Sequence, residues 1–431
     1  MKRVLVILAT ALLFMPFSPH VAQAATAGSG SCAISVTSNS GVYVVQSSSL
    51  CYVAFTATGA NAFTVPTGVT AMDLLVIAGG GAGGSYAFGG GGGAGEVAVT
   101  SSYSVTPSSN ISISVGSGGT SGGNTGGSLS TSGTNSWVGS STTFAANGGG
   151  AGTSWGQSTV FTGGSGGGIS ENNAGQSGAS SVKSTYGTAT RYGNASGSIG
   201  TGATQAGSGG GGAGAAGANV STFGVPGAGG NGTNAVATWL SSISSSMNSI
   251  SGWVSATNSG YIAGGGGGGG NNTNGAAGGV GGGGRGGDVV PNGVAAVANT
   301  GSGGGGATFN GGGYGGAGGS GLIVVRFNVA PSASSITISV PTNSTFRTSS
   351  TIVANLGVAG SDGKVTFYQN GKRIPGCVNV QSVALVASCN WKPSVRGTVR
   401  ISATLTPSSS GYLSSVSGSL PSGVIVRSGN R

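Results

Sequence analysis

Histidine is nearly missing from this 431-residue chain, whose single imidazole is His20. Acidic side chains are also scarce: there are five, Asp73, Glu96, Glu171, Asp288 and Asp362, and all charged residues make up 5% of the sequence. These shortages exclude much catalytic chemistry. A serine nucleophile needs a base beside it, and without histidine that base would have to be Lys183, the one lysine among the glycines. No two acids are neighbours in the chain, so a carboxylate pair for glycoside cleavage could only meet in space, as Asp73 with Glu96. Asp73 is instead expected on a strand, facing solvent or capping a turn. Repeat calcium sites in glycine-rich β-helices need an aspartate in each nonapeptide, and only Asp288 follows a glycine pair. The chain is therefore expected not to be an enzyme and to hold no metal and no cofactor. Long apolar runs are missing too. Val4 to Phe14 is shorter than the roughly 20 residues of a spanning helix, and no later segment is longer, so no transmembrane anchor is expected.

Lys2 and Arg3, the apolar run Val4 to Phe14 and the small residues Ala22-Gln23-Ala24 have the order of a secretory signal. Residues 1–24 are expected to be removed by cleavage after Ala24, which also removes His20. The mature protein is then expected outside the cell or on its surface. Four cysteines, Cys32, Cys51, Cys377 and Cys389, form an even set in an exported chain, which favours disulfides over metal or redox sites. Three pairings are possible, and Cys32 with Cys51 and Cys377 with Cys389 is the most economical. Charge divides the mature chain. Residues 25–330 carry Lys183, Arg191, Arg285 and Arg326 against four acids, a net of zero, whereas residues 331–431 carry nine basic side chains against Asp362, a net of +8.

What the chain has in excess is glycine: 81 of the 243 residues between Ala78 and Leu322. One third is the collagen proportion, but collagen places glycine at every third position, and here the blocks are contiguous, as in Gly264 to Gly270. Disorder is the competing reading of such a composition. Solvated disordered chains are usually charged and poor in apolar residues, whereas this one is 37% hydrophobic. Its backbone groups need fixed partners. Short β-type runs precede the field at Val42 to Val45, Cys51 to Phe55, Phe63 to Val65 and Met72 to Ala78, and Leu322 to Phe327 follows it. The last run is a plausible partner for Leu74 to Ile77, which would close residues 25–328 as one domain: a β-rich opening at 25–78, the glycine field at 79–321 and a closing strand at 322–328. The stretch Leu74 to Gly84, with Glu96 further on, imitates a dinucleotide fingerprint, but a glycine-rich run follows where a helix is required.

Phe63-Thr64-Val65-Pro66-Thr67-Gly68-Val69-Thr70, Leu74-Leu75-Val76-Ile77-Ala78-Gly79-Gly80-Gly81 and Gly319-Ser320-Gly321-Leu322-Ile323-Val324-Val325-Arg326-Phe327 together resemble the glycine-rich domain family of bacterial surface proteins. Related architecture occurs in phage tail-fibre adhesins. The resemblance implies a mostly β fold in which glycine blocks form parallel polyglycine-II helices stacked in a sandwich, with loops at one end touching a receptor. Only glycine lets backbones approach from every side. Between the blocks lie inserts rich in aromatic and aliphatic residues. In the longest, Val236, Leu240, Ile243, Met247, Ile250 and Val254 have helical spacing. Trp137, Trp155, Trp239, Trp253 and Tyr261 are the expected ligand-binding side chains, since aromatics on loops of a rigid scaffold suit binding. The alternative is that they cap the lattice and cover the sheets.

Residues 329–431 are expected to form a separate β-sandwich, with Pro331 at the linker. Strands are expected at Ile336 to Val340, Thr351 to Val358, Lys364 to Gln369, Val378 to Asn390, Thr398 to Thr406 and Val424 to Arg427, with Asn370-Gly371 as a hairpin turn. Gly363 to Tyr368, Asn370-Gly371-Lys372, Cys377, Cys389 and Trp391-Lys392-Pro393 resemble bacterial immunoglobulin-like repeats, which implies a spacer or adhesive module. Lys364, Lys372, Arg373, Lys392, Arg396 and Arg400 form either a solvated basic face or an attachment for polyanions. No motif that stacks on bases or reads a groove accompanies them, so no nucleic acid partner is expected. Together these features point to a secreted or cell-surface adhesin that binds a surface glycan, a cell-wall polymer or a protein receptor. The alternative is a structural matrix or envelope component without a specific ligand. Exposed aromatics clustered at one end would favour adhesion, and aromatics buried against the sheets would favour the matrix role.

Overall fold

A computed structural model describes residues 25–427 apart from 30–31, 48, 172–173, 272–274, 310–311, 330–332, 358–361, 409–411, 413 and 418–423. The expected signal segment and the linker at Pro331 lie outside the described residues. The fold is mostly β. Two six-stranded antiparallel sheets form the base of the glycine-rich unit. One has the order Ala25–Ala27, Ile34–Val36, Gly59–Thr64, Asn110–Val115, Ser136–Val138, Phe144–Ala146. The other has the order Thr190–Tyr192, Val97–Ser104, Ala71–Ile77, Leu322–Asn328, Leu50–Phe55, Val42–Ser47. The chain closes as its sequence suggests, with Leu322 opposite Ile77 and Arg326 opposite Asp73. Cys32 and Cys51 are joined, with Cα atoms 5.5 Å apart.

The second sheet is covered on both faces, which explains why its central strands are continuously apolar instead of alternating. Leu74, Val76, Ile323, Val325 and Phe327 pack towards the first sheet with Phe55, Phe63 and Phe144. Leu75, Ile77, Leu322 and Val324 face the other way, onto the insert between residues 236 and 262. That insert holds two short helices, Ala237–Ile243 and Trp253–Thr257. Its helical spacing is real, since Val236, Leu240, Ile243 and Met247 are all buried on the sheet. Serine-rich turns between them limit the helices to two pieces. Each large apolar side chain buried here stabilises the fold by about 2 kcal/mol.

Strands of both sheets run on into glycine segments, and these are three-fold helices bonded mainly to one another, with some amides donating to serine hydroxyls instead. Along one block the amides of Gly79 and Ala82 donate to Thr134 and Thr131, those of Gly80 and Gly83 to Gly319 and Gly316, and those of Gly81 and Gly84 to Gly93 and Gly90. Every third residue returns to the same neighbour, which is the three-residue turn of polyglycine II. The helix Gly89 to Gly95 is enclosed. It donates to the segments 301–307, 150–153 and 208–211, and accepts from 266–269, 165–168 and 81–84. The axes are aligned, but chain directions are mixed. Register shows five of its six neighbours antiparallel and 208–211 parallel, and of these only 81–84 is joined to it by a short turn. Gly264 to Gly269 is surrounded in the same manner, bonded to 227–230, 89–92, 284–287, 276–279, 207–210 and 303–306.

Packing this close leaves no room for a side chain. A Cβ on Gly92 would lie 2.1 Å from the Gly81 carbonyl oxygen, and one on Gly91 would lie 2.0 Å from that of Gly266. The entropy lost in ordering so many glycines is offset by amides that bond to neighbouring segments along the whole length of the enclosed helices.

Residues 333–427 form a β-sandwich. One side has the strand order Ile336–Ser339, Ser350–Leu356, Val386–Trp391, and the other pairs Gly363–Gln369 with Ile401–Pro407. Ile352, Phe367, Trp391 and Leu405 fill the space between them. Cys377 and Cys389 are joined, with Cα atoms 5.6 Å apart. The single strand expected from Val378 to Asn390 is broken into Val380–Gln381 and Val386–Trp391. Ala384 and Leu385 take positive φ values of 50° and 66° in a turn held by the Asp362 carboxylate, which accepts from the Leu385 amide at 3.0 Å.

Two glycine substitutions test the lattice. Gly92→Ala should lower unfolding free energy by more than about 3 kcal/mol, as overpacking a core without room does. Gly200→Ala, whose added methyl meets nothing nearer than 3.6 Å, should change it by less than about 1 kcal/mol. Denaturant titration of both variants checks the contrast.

Candidate functional site

Hydrogen-bond register defines two ends. Ala78 pairs with Glu96, and Gly95 with Gly301, beside the sheets, whereas Gly84 pairs with Gly90 and with Ala307 at the far end. Level with Gly84 are Thr153, Gly168, Ser208 and Gly269. The loops that follow or precede these residues therefore gather at one tip, away from both sheets. The tip has a small core of its own in Ile169, Ile199, Ala203, Ala206 and Val220.

A cleft of about 390 Å³ opens there between Tyr86, Phe88, Trp155 and Phe309, with Glu171, Gln205 and Asn271 on its polar side. The Phe88 and Phe309 rings stack 5.2 Å apart with planes 8° from parallel, and Tyr86 meets Trp155 at 5.8 Å. The polar groups are linked in series. Glu171 accepts from Trp155 Nε1 at 3.0 Å and from the Gln205 amide at 2.7 Å, and Asn271 Nδ2 donates to Gln205 Oε1 at 2.6 Å. Beneath them hydroxyls clamp the turns. The Ser85 amide donates to Ser154 Oγ at 2.8 Å, Ser85 Oγ to the Gly122 carbonyl at 3.0 Å, and the Tyr86 amide to the Gly313 carbonyl at 2.7 Å.

Three residues around the cleft, Tyr86, Phe88 and Gln205, have positive φ values of 73°, 50° and 62°. Such conformations cost roughly 1–3 kcal/mol each for side-chain-bearing residues and concentrate at binding sites. The neighbouring tip loop at Asp288 is also pinned. The Val290 amide and then the Arg285 guanidinium hold the Asp288 carboxyl below its ordinary pKa.

Of the five aromatics expected to bind ligand, only Trp155 reaches the tip, at 39% exposure. Trp239 and Trp253 are corrected to core residues. Trp253 is fully buried and donates its indole N–H to the Asn299 carbonyl at 3.0 Å, while Trp239 packs edge-on against Tyr52 and under the Arg326 guanidinium. Their helices must cover the second sheet, and the largest side chains of the insert do so. Trp137 is half-buried on the Ser136–Val138 strand at the base. Tyr261 is half-buried beside Lys183, Arg191 and Asn231, also away from the tip. Tyr86, Phe88 and Phe309 were not singled out from sequence. The signal was there: Ser85 to Phe88 is all that separates two glycine blocks, so it has to be a turn at a helix end.

Asp73 and Glu96 do not form a carboxylate pair. Asp73 accepts from Arg326 at 2.7 Å, and Glu96, with no exposed surface, accepts from Arg191 at 2.6 Å and from the Asn147 and Ser184 amides. Glu96 thereby anchors the 183–192 insert to the lattice. The Gly79 segment that imitates a dinucleotide turn is a polyglycine-II helix, with no α-helix following it. Among the described residues no group of three potential metal ligands occurs, and no helix is long and apolar enough to cross a membrane.

A family model described as a glycine-rich domain matches residues 56–328, well over half of the chain. No curated protein matches it.

The division between core and tip aromatics is measurable. Trp253→Ala should cost about 3–5 kcal/mol of stability, whereas Trp155→Ala should cost less than about 1 kcal/mol. Equilibrium unfolding in denaturant reads both.

Proposed function

Because the chain belongs to the glycine-rich domain family, we propose that it is a non-enzymatic adhesin, secreted or held at a bacterial cell surface, that binds through the loops at the tip of its polyglycine-II lattice. One observation carries this reading: most of the exposed large apolar side chains of the glycine-rich unit lie at the tip. Leu129, Phe223, Val225, Val289, Val290 and Phe309 are between 53% and 67% exposed, and all lie on loops joining helix ends remote from the sheets. Exposed apolar residues concentrated on a rigid support mark an interaction surface. The cleft between Tyr86, Trp155 and Phe309 adds flat rings beside a carboxylate and two amides. That combination suits a sugar, whose C–H face lies on a ring while its hydroxyls find hydrogen-bond partners.

In this reading the C-terminal sandwich is an immunoglobulin-like spacer or tether, and residues 1–24 direct export. Two disulfides are compatible with an oxidising destination. Burial of Trp239 and Trp253 supports the second reading, a structural envelope or matrix component without a specific ligand. The exposed tip is what favours adhesion over it.

Binding of the purified protein to an array of surface glycans and cell-wall polymers tests the reading. Saturable binding should appear and fall roughly tenfold or more in the Trp155→Ala/Phe309→Ala variant, as loss of aromatic anchors implies. Absence of binding, or binding unchanged in a folded variant, would move the assignment to the structural role.

A further inference from the structure

The positive charge of residues 331–431 has no internal counterpart. Nine basic side chains face a single acid, and that acid is engaged: Asp362 accepts from Ser382 Oγ at 2.7 Å and from the Leu385 amide at 3.0 Å. The salt bridges among the described residues, Arg191 with Glu96, Arg285 with Asp288 and Arg326 with Asp73, all belong to the glycine-rich unit. Three of the remaining cations converge. Lys372, Arg373 and Lys392 line one groove of about 800 Å³ together with Gln369, Asn370 and Asn390, and no carboxylate lines it. Its size lies within the roughly 300–1,000 Å³ of small-molecule sites.

The groove is built on fixed backbone. Asn370 and Gly371, with φ values of 48° and 77°, make the tight turn that presents Lys372 and Arg373. The turn is held from the side, since the Asn370 amide donates to the Arg400 carbonyl and the Arg400 amide to Asn370 Oδ1, both at 2.8 Å. Cys377 and Cys389 tie this hairpin to the Val386–Trp391 strand that leads into Lys392. Below, the buried Trp391 indole N–H donates to Gln369 Oε1 at 2.9 Å. More charge stands beside it. Arg347 and Arg396 both lie over the Phe346 ring, at 5.2 Å and 4.8 Å, and the Arg347 amide donates to the Pro393 carbonyl at 3.1 Å.

Holding like charges together without a counter-charge is unfavourable, and an anion in the groove reverses the sign. We propose that this groove binds a hydroxyl-bearing anionic polymer, with its anionic groups on Lys372, Arg373 and Lys392 and its hydroxyls on Gln369, Asn370 and Asn390. A neutral amide set beside the cations suits a hydroxyl-rich chain. The groove offers no exposed ring for stacking on bases, which single-stranded nucleic acid sites use. Bound this way, an acidic wall or capsule polymer would hold the C-terminal unit while the tip stays free. This groove and the tip cleft share no residue and belong to different units.

Titration of the full chain at about 0.15 M salt against polygalacturonate and poly(glycerol phosphate) tests it, and the preferred polymer tells carboxylate from phosphodiester chemistry. Saturable binding to at least one is expected. It should weaken roughly tenfold in Lys372→Gln/Lys392→Gln, as loss of two charge contacts implies, and less than about twofold in Lys183→Gln/Lys364→Gln, which removes the same charge elsewhere. The Trp155→Ala/Phe309→Ala variant should bind unchanged. Equal weakening in both lysine pairs, no saturable binding to either polymer, or tighter binding to duplex DNA or phosphatidylglycerol vesicles would each overturn the proposal.

Discussion

A polyglycine-II helix makes no hydrogen bonds within itself, so each amide and carbonyl has to be met by a neighbouring helix at backbone contact distance. That requirement governs the rest of the glycine-rich unit. It demands hydrogen in place of a side chain at enclosed positions such as Gly91 and Gly92, where a Cβ would lie about 2 Å from a carbonyl oxygen. It also demands that whole helices be surrounded, which a long, low-charge chain achieves only by folding back many times. The two sheets supply the starting register. Strand Ala71–Ile77 pairs with Val97–Ser104, and the glycine helices that continue them remain paired through Ala78 and Glu96, Gly81 and Gly93, and Gly84 and Gly90.

Excluding side chains from the lattice determines where chemistry can reside. Bulky residues are accommodated at helix ends, against the sheets or at the remote tip, and on the outer face of edge segments, as at Val294. The base takes the larger share of ordinary core: Trp239, Trp253 and Met247 cover the second sheet, and Phe55, Phe63 and Phe144 fill the space between sheets. The tip receives turns that have little to bury against, so Phe309, Val289 and Phe223 remain exposed. The lattice below holds those turns rigidly, which lowers the ordering cost that a flexible binding loop would meet.

Much of this was legible in the sequence. The apolar runs framing the glycines announced strands, and the pairing of Leu322 to Phe327 with Leu74 to Ile77 followed from their patterns. Both disulfides follow the economical pairing, and Asn370-Gly371 turns a hairpin as its dipeptide suggests. Long inserts misled because their aromatics looked like binding residues. Length gives an insert enough chain to return over a sheet, and Trp239 and Trp253 do so. Short inserts such as Ser85 to Phe88 cannot return and are left at the tip. Neighbour identities within the lattice were not legible, since glycine carries no side chain to record which helix lies beside it. Chain direction was hidden for the same reason.

The glycine-rich unit is electrically neutral and the C-terminal sandwich strongly basic, so the two units are suited to different partners. A rigid tip requires an ordered lattice beneath it. Amide hydrogen exchange followed by mass spectrometry tests this most directly. The enclosed helices Gly89 to Gly95 and Gly264 to Gly269 should be protected to the same order as the Leu322–Asn328 strand, while the tip loop at 122–129 exchanges freely. Exchange of the glycine helices at unstructured-peptide rates, with the strands still protected, would contradict the lattice and the rigid tip built on it.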